Sequence, residues 1–220
     1  MNRTPVDLPI YPNLKMLETS LFPKGPPARR AAEIGLGVVP ENVNCRHHYA
    51  RGIPCLFVDP NPASWEAVRS RFPKAQFVNV ALCDEPKELT LRVVQGTPFF
   101  QGCGFSAGSS WVESYDHPGH DVPAIREGLD SVTSTLKVQG VTFDTIDPGD
   151  IDVMSLDVEG AEWSVLKHMI SRPRMIFVEL RWRMGWKNTF LDEILEWFRG
   201  NGYHLHGHNG VDDLWVLNGD

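Results

Sequence analysis

Ile151-Asp152-Val153-Met154-Ser155-Leu156-Asp157-Val158-Glu159-Gly160-Ala161-Glu162-Trp163 is the stretch on which the fold turns. It opens as a short apolar run, passes through carboxylates and a glycine, and continues into a helical pattern. Short apolar runs bounded by turn residues suit strands buried on both faces of a parallel sheet. Acids and a glycine between such a strand and a helix lie at the carboxyl edge of the sheet, where open α/β sheets bind ligands. Acids near a helix N-terminus also stabilise it by about 0.3–1 kcal/mol. That explains Glu162 well and Glu159 in part, but it explains Asp157, at the end of the strand, poorly.

The same alternation extends in both directions. Upstream, Ala31-Ala32-Glu33-Ile34 leads into Gly35-Leu36-Gly37, Cys55-Leu56-Phe57-Val58 ends at Asp59-Pro60-Asn61-Pro62, and Phe77 to Leu82 reads as a third strand. Downstream comes Met175 to Leu180. The intervening segments carry helical spacing: Trp65, Val68 and Phe72; Trp163, Leu166 and Ile170; and a broad stripe at Phe190, Leu191, Ile194, Leu195 and Phe198, with Asn188 as cap and Gly200 as stop. Tyr203 to His206 and Leu214 to Leu217 flank Asn209-Gly210, a hairpin signal. The order predicts right-handed crossovers and a doubly wound, mostly parallel α/β sheet ending in an antiparallel pair. Residues 1–28, rich in proline, read as an N-terminal arm, and residues 29–220 as one domain. Residues 95–130 lack a sustained period between strands at Leu89 to Val94 and Thr135 to Val138, and read as a lid or insertion.

Composition narrows the function. The 220 residues are 42% hydrophobic and 22% charged, with 21 Lys and Arg against 28 Asp and Glu, a net charge of −7. An acidic chain without a long basic run is poorly suited to nucleic acid or an anionic membrane. Neither is expected as a partner; a small molecule is. No apolar run reaches the length of a bilayer span, and Met1 to Tyr11 lack the apolar core of a secretory leader. The four cysteines, Cys45, Cys55, Cys83 and Cys103, show no metal or redox spacing. Reduced thiols and a cytoplasmic location are expected.

Four constellations carry chemistry. Glu33 to Gly37 forms a strand–turn in which glycines allow a sharp turn and close approach of a ligand, with a following helix to offer N–H groups. A dinucleotide fingerprint needs a third glycine where this chain has Pro40, so a nicotinamide site is disfavoured. Asp59, about two dozen residues on, stands where a carboxylate binds ribose hydroxyls, and also where an Asp starts a turn. Asn79 to Asp84, including Ala81, closes the next strand beside the crevice. At the Asp157 and Glu159 site, two carboxylates can orient a cation, bind a divalent metal or take a proton. Glu179, ending the next strand, faces the same side; Arg181, Trp182, Arg183 and Trp186 after it suit a sugar or an acidic substrate. His204 and His206 share a strand face, a weak metal signal beside the reading as a solvated edge.

These residues together resemble the FkbM-type family of S-adenosylmethionine-dependent methyltransferases, over roughly Ala31 to Val216. The most specific element is Leu156-Asp157-Val158-Glu159-Gly160-Ala161-Glu162, followed by Val165-Leu166. Asp59-Pro60-Asn61-Pro62, Asn79-Val80-Ala81-Leu82, Gly108-Ser109-Ser110 and Val141 to Ile146 match further elements. The glycine loop departs from the family's Asp-x-Gly-Ala-Asn-x-Gly. The resemblance implies a Rossmann-like, seven-stranded class I methyltransferase sheet with the last strand antiparallel. It implies S-adenosyl-L-methionine as cofactor and S-adenosyl-L-homocysteine as product, with Glu33, Gly35 and Gly37 around the methionyl part, Asp59 at the ribose, Asp157 near the sulfonium, and Asn61 and Ala81 among the cofactor-binding residues. Asp157 and Glu159 are then the catalytic candidates. A divalent metal is compatible but not called for. The expected reaction is O-methylation of a small-molecule, sugar or glycan hydroxyl. The alternatives are an NAD-type oxidoreductase and a non-catalytic cofactor-binding module.

Overall fold

The computed structural model describes residues 5–8, 12–94, 110–112, 133–180 and 188–219. Its main sheet has four inner strands that are buried along their whole length or nearly so: β2 (Ala31–Ile34), β3 (Cys55–Val58), β9 (Val153–Leu156) and β10 (Met175–Glu179). With β1 (Val6–Asp7), β4 (Gln76–Val78), β11 (Tyr203–His208) and β12 (Asp212–Leu217) the order is β1-β11-β12-β10-β9-β2-β3-β4. Within this sheet β4, β3, β2, β9 and β10 are mutually parallel, and β12 runs antiparallel to both β10 and β11. The chain winds outward from β2 to β4, then returns to lay β9 on the other side of β2. The switch point between β2 and β9 is where such sheets open a ligand crevice.

Alternation along the strands sends side chains to two cores. On one face Ala32, Ile34, Leu56, Met154, Leu156, Ile176 and Val178 pack under α4 (Glu162–Leu166) and α5 (Leu191–Gly200) through Val165, Leu166, Ile194 and Phe198. On the other, Ala31, Phe57, Val153, Met175 and Phe177 meet Leu14 of α1 (Leu14–Leu21), Cys45 beside α2 (Arg46–Tyr49), and Val68 of α3 (Pro62–Arg69). The N-terminal arm is thus tied to the body. Glu18 of α1, 2% exposed, pairs with Arg174, with Lys15 and with the buried His48.

Several sequence expectations change here. The main sheet has eight strands instead of seven, because Val6–Asp7 adds to its edge beside Gly207 and His208. The run Phe77 to Leu82 is two elements: β4 ends at Val78, Asn79 turns its amide to the Asp59 carbonyl at 2.7 Å, and β5 (Ala81–Leu82) joins a second sheet. That sheet, β5-β8-β6-β7, comprises β6 (Lys87–Val94), β7 (Ser110–Val112) and β8 (Thr133–Val141). Of the expected lid, only residues 110–112 are described; the rest, with Cys103, Gly108 and Ser109, lies outside the described residues. Cys45, Cys55 and Cys83 are buried free thiols. The helix through Trp163 stops at Leu166, leaving Ile170 58% exposed. Asn188 caps the turn before α5: its side chain accepts the Phe190 N–H at 2.9 Å, while the helix begins at Leu191.

Candidate functional site

The ends of β2 and β9 meet at the switch point. Asp157 N–H donates to the Ile34 carbonyl and Gly35 N–H to the Val58 carbonyl, both at 2.8 Å. Gly35 has φ +89°, and a Cβ on it would sit 1.6 Å from the Asp157 carbonyl oxygen. Gly37, at φ +58°, has no neighbour within 4 Å of that position. The loop is therefore pressed against Asp157 at one glycine and open at the other.

Glu33 and Asp59 lie behind this loop. The two Glu33 oxygens accept the Asn44 N–H at 3.0 Å and the Cys45 N–H at 2.8 Å. Those amides belong to the segment leading into α2, so the free helix N-terminus expected after the glycines is absent here. Pro40 instead opens a 3-10 turn, and α2 starts only at Arg46. Asp59, 6% exposed, accepts the Leu36 N–H at 2.8 Å on one oxygen and the Asn61 N–H at 2.7 Å on the other. Asn61 accepts the Ala63 N–H at 3.0 Å and caps α3. Both Asn61 and Ala81 are enclosed in protein. Glu33, Asp59 and Asn61 thus each hold neighbouring backbone through its N–H groups.

In front lies a carboxylate cluster. Oxygens of Asp157, Glu159 and Glu179 fall within 4.8 Å of one another. Asp157 is exposed at the end of β9, with protein atoms packed around its carboxyl group. Burial, then the Glu159 charge, pushes its carboxyl far above the usual range; burial and the Asp157 and Glu159 charges do the same for Glu179. Asp157 and Glu179 also share a hydrogen bond. Asp212, opposite Glu179 on β12, adds further negative potential. Like charges so placed hold protons or attract a cation. Among the described residues this is the one group of three or more acids, histidines or cysteines close enough to hold a metal ion. His204 instead contacts the Asn218 side chain at 2.8 Å. Arg181, Trp182, Arg183 and Trp186 lie outside the described residues.

Two contributors escaped the sequence reading. Asp212 reads from the sequence as a candidate acidic partner of His204 and His206 across the hairpin, whereas it stands opposite Glu179 on β10. Asn188 was visible only as a cap, yet its side-chain amide also donates to Glu162, whose other oxygen accepts the N–H groups of Val158 and Gly160 at 3.2 Å each. The signal for Glu162 was its position in the Asp-x-Glu-Gly-x-Glu element.

The family model for the methyltransferase FkbM domain matches residues 34–205. The chain belongs to this family. An FkbM-family methyltransferase implies S-adenosylmethionine as its cofactor, and the residues fit that molecule. The space before Gly37 admits a ligand against the backbone, and the carboxylates suit a cationic centre. No curated protein matches the chain. Among solved structures, a TehB-like SAM-dependent methyltransferase from Corynebacterium glutamicum is similar at 11% identity and a TM-score of 0.37, over 96% of this chain and 89% of that one. No helix among the described residues of this family member is long and apolar enough to cross a membrane.

The buried acids make its stability depend on pH. Burial pushes Glu33 and Glu162 up to about 7, and Asp59 to about 6, against the backbone N–H groups that favour their charged forms. Raised carboxyls stabilise the fold most below their unfolded values, and that contribution is lost as pH rises through 6 to 7; each glutamate accounts for on the order of 3 kcal/mol. Glu18 has the opposite sign. Burial would raise it, but hydrogen bonds from His48 and Lys15 and the Arg174 charge lower it to about 2. Its contribution is present above its unfolded value and is lost as pH falls through 2. Thermal melts at constant ionic strength should show Tm falling from pH 5 to pH 8. A Tm rising across that window would contradict this account.

Proposed function

We propose that the chain transfers a methyl group from S-adenosylmethionine to a hydroxyl oxygen of a neutral small molecule, with a sugar or glycan hydroxyl as the leading class. The observation that carries this reading is the abutment of the Gly35 loop on Asp157, which brings the open space at Gly37 and the three-carboxylate cluster to one crevice.

When bound, the cofactor supplies an electrophilic methyl group on a sulfonium. Gly35 and Gly37 allow the backbone to lie close to its methionyl part. Asp59 contributes first by fixing the loop through the Leu36 N–H; a ribose hydroxyl would use lone pairs that the loop amides leave over. Asp157 takes the proton that an alcohol must lose, with Glu159 and Glu179 tuning its basicity. The negative cluster repels anionic acceptors, which favours a neutral polyol over an acid. Alignment of donor and acceptor supplies the rest of the acceleration.

Calorimetric titration with S-adenosylhomocysteine, with NAD as control, tests the reading on the natural chain and on Asp59→Ala. Binding of the first ligand alone, weakened in the variant, is the expected result. NAD binding in its place would make the chain an oxidoreductase. S-adenosylhomocysteine binding with no turnover across a panel of monosaccharides, oligosaccharides and phenols would leave a cofactor-binding module.

A further inference from the structure

Glu159 is the single non-glycine residue at positive φ among the described residues, at +53°. A side chain held there costs on the order of 1–3 kcal/mol and persists when its surroundings determine it. The sheet fixes Asp157 and Glu179, because Leu156 and Val178 are paired in the β9–β10 ladder. Glu159 lies beyond that ladder, so something else must hold it. The N–H groups on either side of it, Val158 and Gly160, both donate to one oxygen of Glu162 at 3.2 Å. The other Glu162 oxygen accepts the Asn188 side-chain amide. Asn188 is fixed in turn: its N–H donates to the Leu180 carbonyl at 3.2 Å, next to Glu179, and its side-chain oxygen accepts the Phe190 N–H at 2.9 Å. Glu162 and Asn188 are 2% and 3% exposed, so water does not stand in for either partner.

We propose that Glu162 is the positioning residue of the carboxylate cluster: one oxygen straddles Glu159 through its flanking amides, and the other is anchored by Asn188 to the end of β10, which keeps the Glu159 carboxylate beside Asp157 and Glu179. The functional consequence rests on the reading of the cluster as the proton acceptor. The clamp itself rests on geometry alone. Its chemistry is directional. The Asn188 amide cannot turn over without abandoning the Phe190 N–H, so it needs an acceptor at position 162. Glutamine there keeps the grip on Val158 and Gly160 but presents N–H groups to N–H groups. Aspartate at 188 reverses the polarity of the bond, accepting from both the glutamine amide and the Phe190 N–H.

The test compares the natural chain with Glu162→Gln, Asn188→Ala and the double variant Glu162→Gln/Asn188→Asp. Amide exchange at Val158 and Gly160, the two N–H groups that Glu162 holds, affinity for S-adenosylhomocysteine, and initial rates on the acceptor found by the panel above are measured on each. Either single substitution is expected to speed exchange at those amides about tenfold and to lower kcat by a similar factor, the range for a buried hydrogen bond to a charged group. KM and cofactor affinity should stay within about twofold, and the double variant should recover both exchange and kcat. Unchanged exchange in the single variants, or a folded double variant without recovery, overturns the proposal. If the natural chain binds no cofactor, the functional reading fails, and exchange and its rescue still decide whether the clamp exists.

Discussion

Asp157→Asn is expected to lower turnover by about 10²–10⁴-fold, the range for loss of a general base, while S-adenosylhomocysteine affinity changes little. The substitution keeps the shape of the side chain and its hydrogen-bonding capacity toward Glu179, and the Asp157 backbone bond to Ile34 is untouched. It also removes one of the like charges that raise Glu179, so the variant should melt at the same temperature as the natural chain or higher. That pairing of opposite signs distinguishes a catalytic carboxylate from a structural one, whose loss would lower both rate and stability. Product release measured on the acceptor, together with a thermal melt, reads both. Full turnover in this variant would remove Asp157 from the mechanism.

Gly35→Ala carries the largest expected cost in stability. The added methyl would have to occupy space 1.6 Å from the Asp157 carbonyl oxygen, which is backbone and has no rotamer by which to yield. Relief requires parting β2 from β9 at the centre of the sheet, and the positive φ adds its own strain. A loss above about 4 kcal/mol, the exceptional end of point substitutions, is expected in denaturant titration, together with loss of cofactor binding. Gly37→Ala is the control. Its methyl meets nothing within 4 Å, so only the left-handed backbone is penalised, by about 1 kcal/mol, while the methyl projects into the space assigned to the ligand. Cofactor affinity should then fall out of proportion to stability. Equal destabilisation of the two variants would contradict the geometry of the loop.

What could be read from the sequence was local. The Asp157 strand, the Gly35 turn and the Asn209-Gly210 hairpin each carry their signal within a dozen residues, and each lies where the pattern put it. What escaped was set by hydrogen-bond partners that no apolar period marks. The sequence pattern does not show that each Glu33 oxygen accepts a backbone N–H, one from Asn44 and one from Cys45. Asp59 reads from the sequence as a ribose contact and a turn starter, and its bond to the Leu36 N–H, 23 residues back, adds the role of fixing the glycine loop. Asn79 ends β4 because its amide reaches back to Asp59, a contact no periodicity announces. Glu162 and Asn188 stand 26 residues apart and form one hydrogen bond. Strand and helix patterns report burial, whereas the orientation of a buried polar group depends on donors that the three-dimensional packing brings to it.

The pairing of β2 with β9 also has a cost during synthesis. Ile34 finds Leu156 across the ladder, so the residue that completes the edge of β2 leaves the ribosome more than a hundred residues after it. At about 5–20 residues per second, β2 waits on the order of 6 to 25 seconds with one buried strand edge, Ala31 to Ile34, open to any chain nearby. Contacts of such sequence separation slow folding. The nascent protein is therefore most vulnerable to aggregation while the Asp157 turn is still untranslated, and a chaperone that shields that edge would raise the yield of folded protein more than one acting after release.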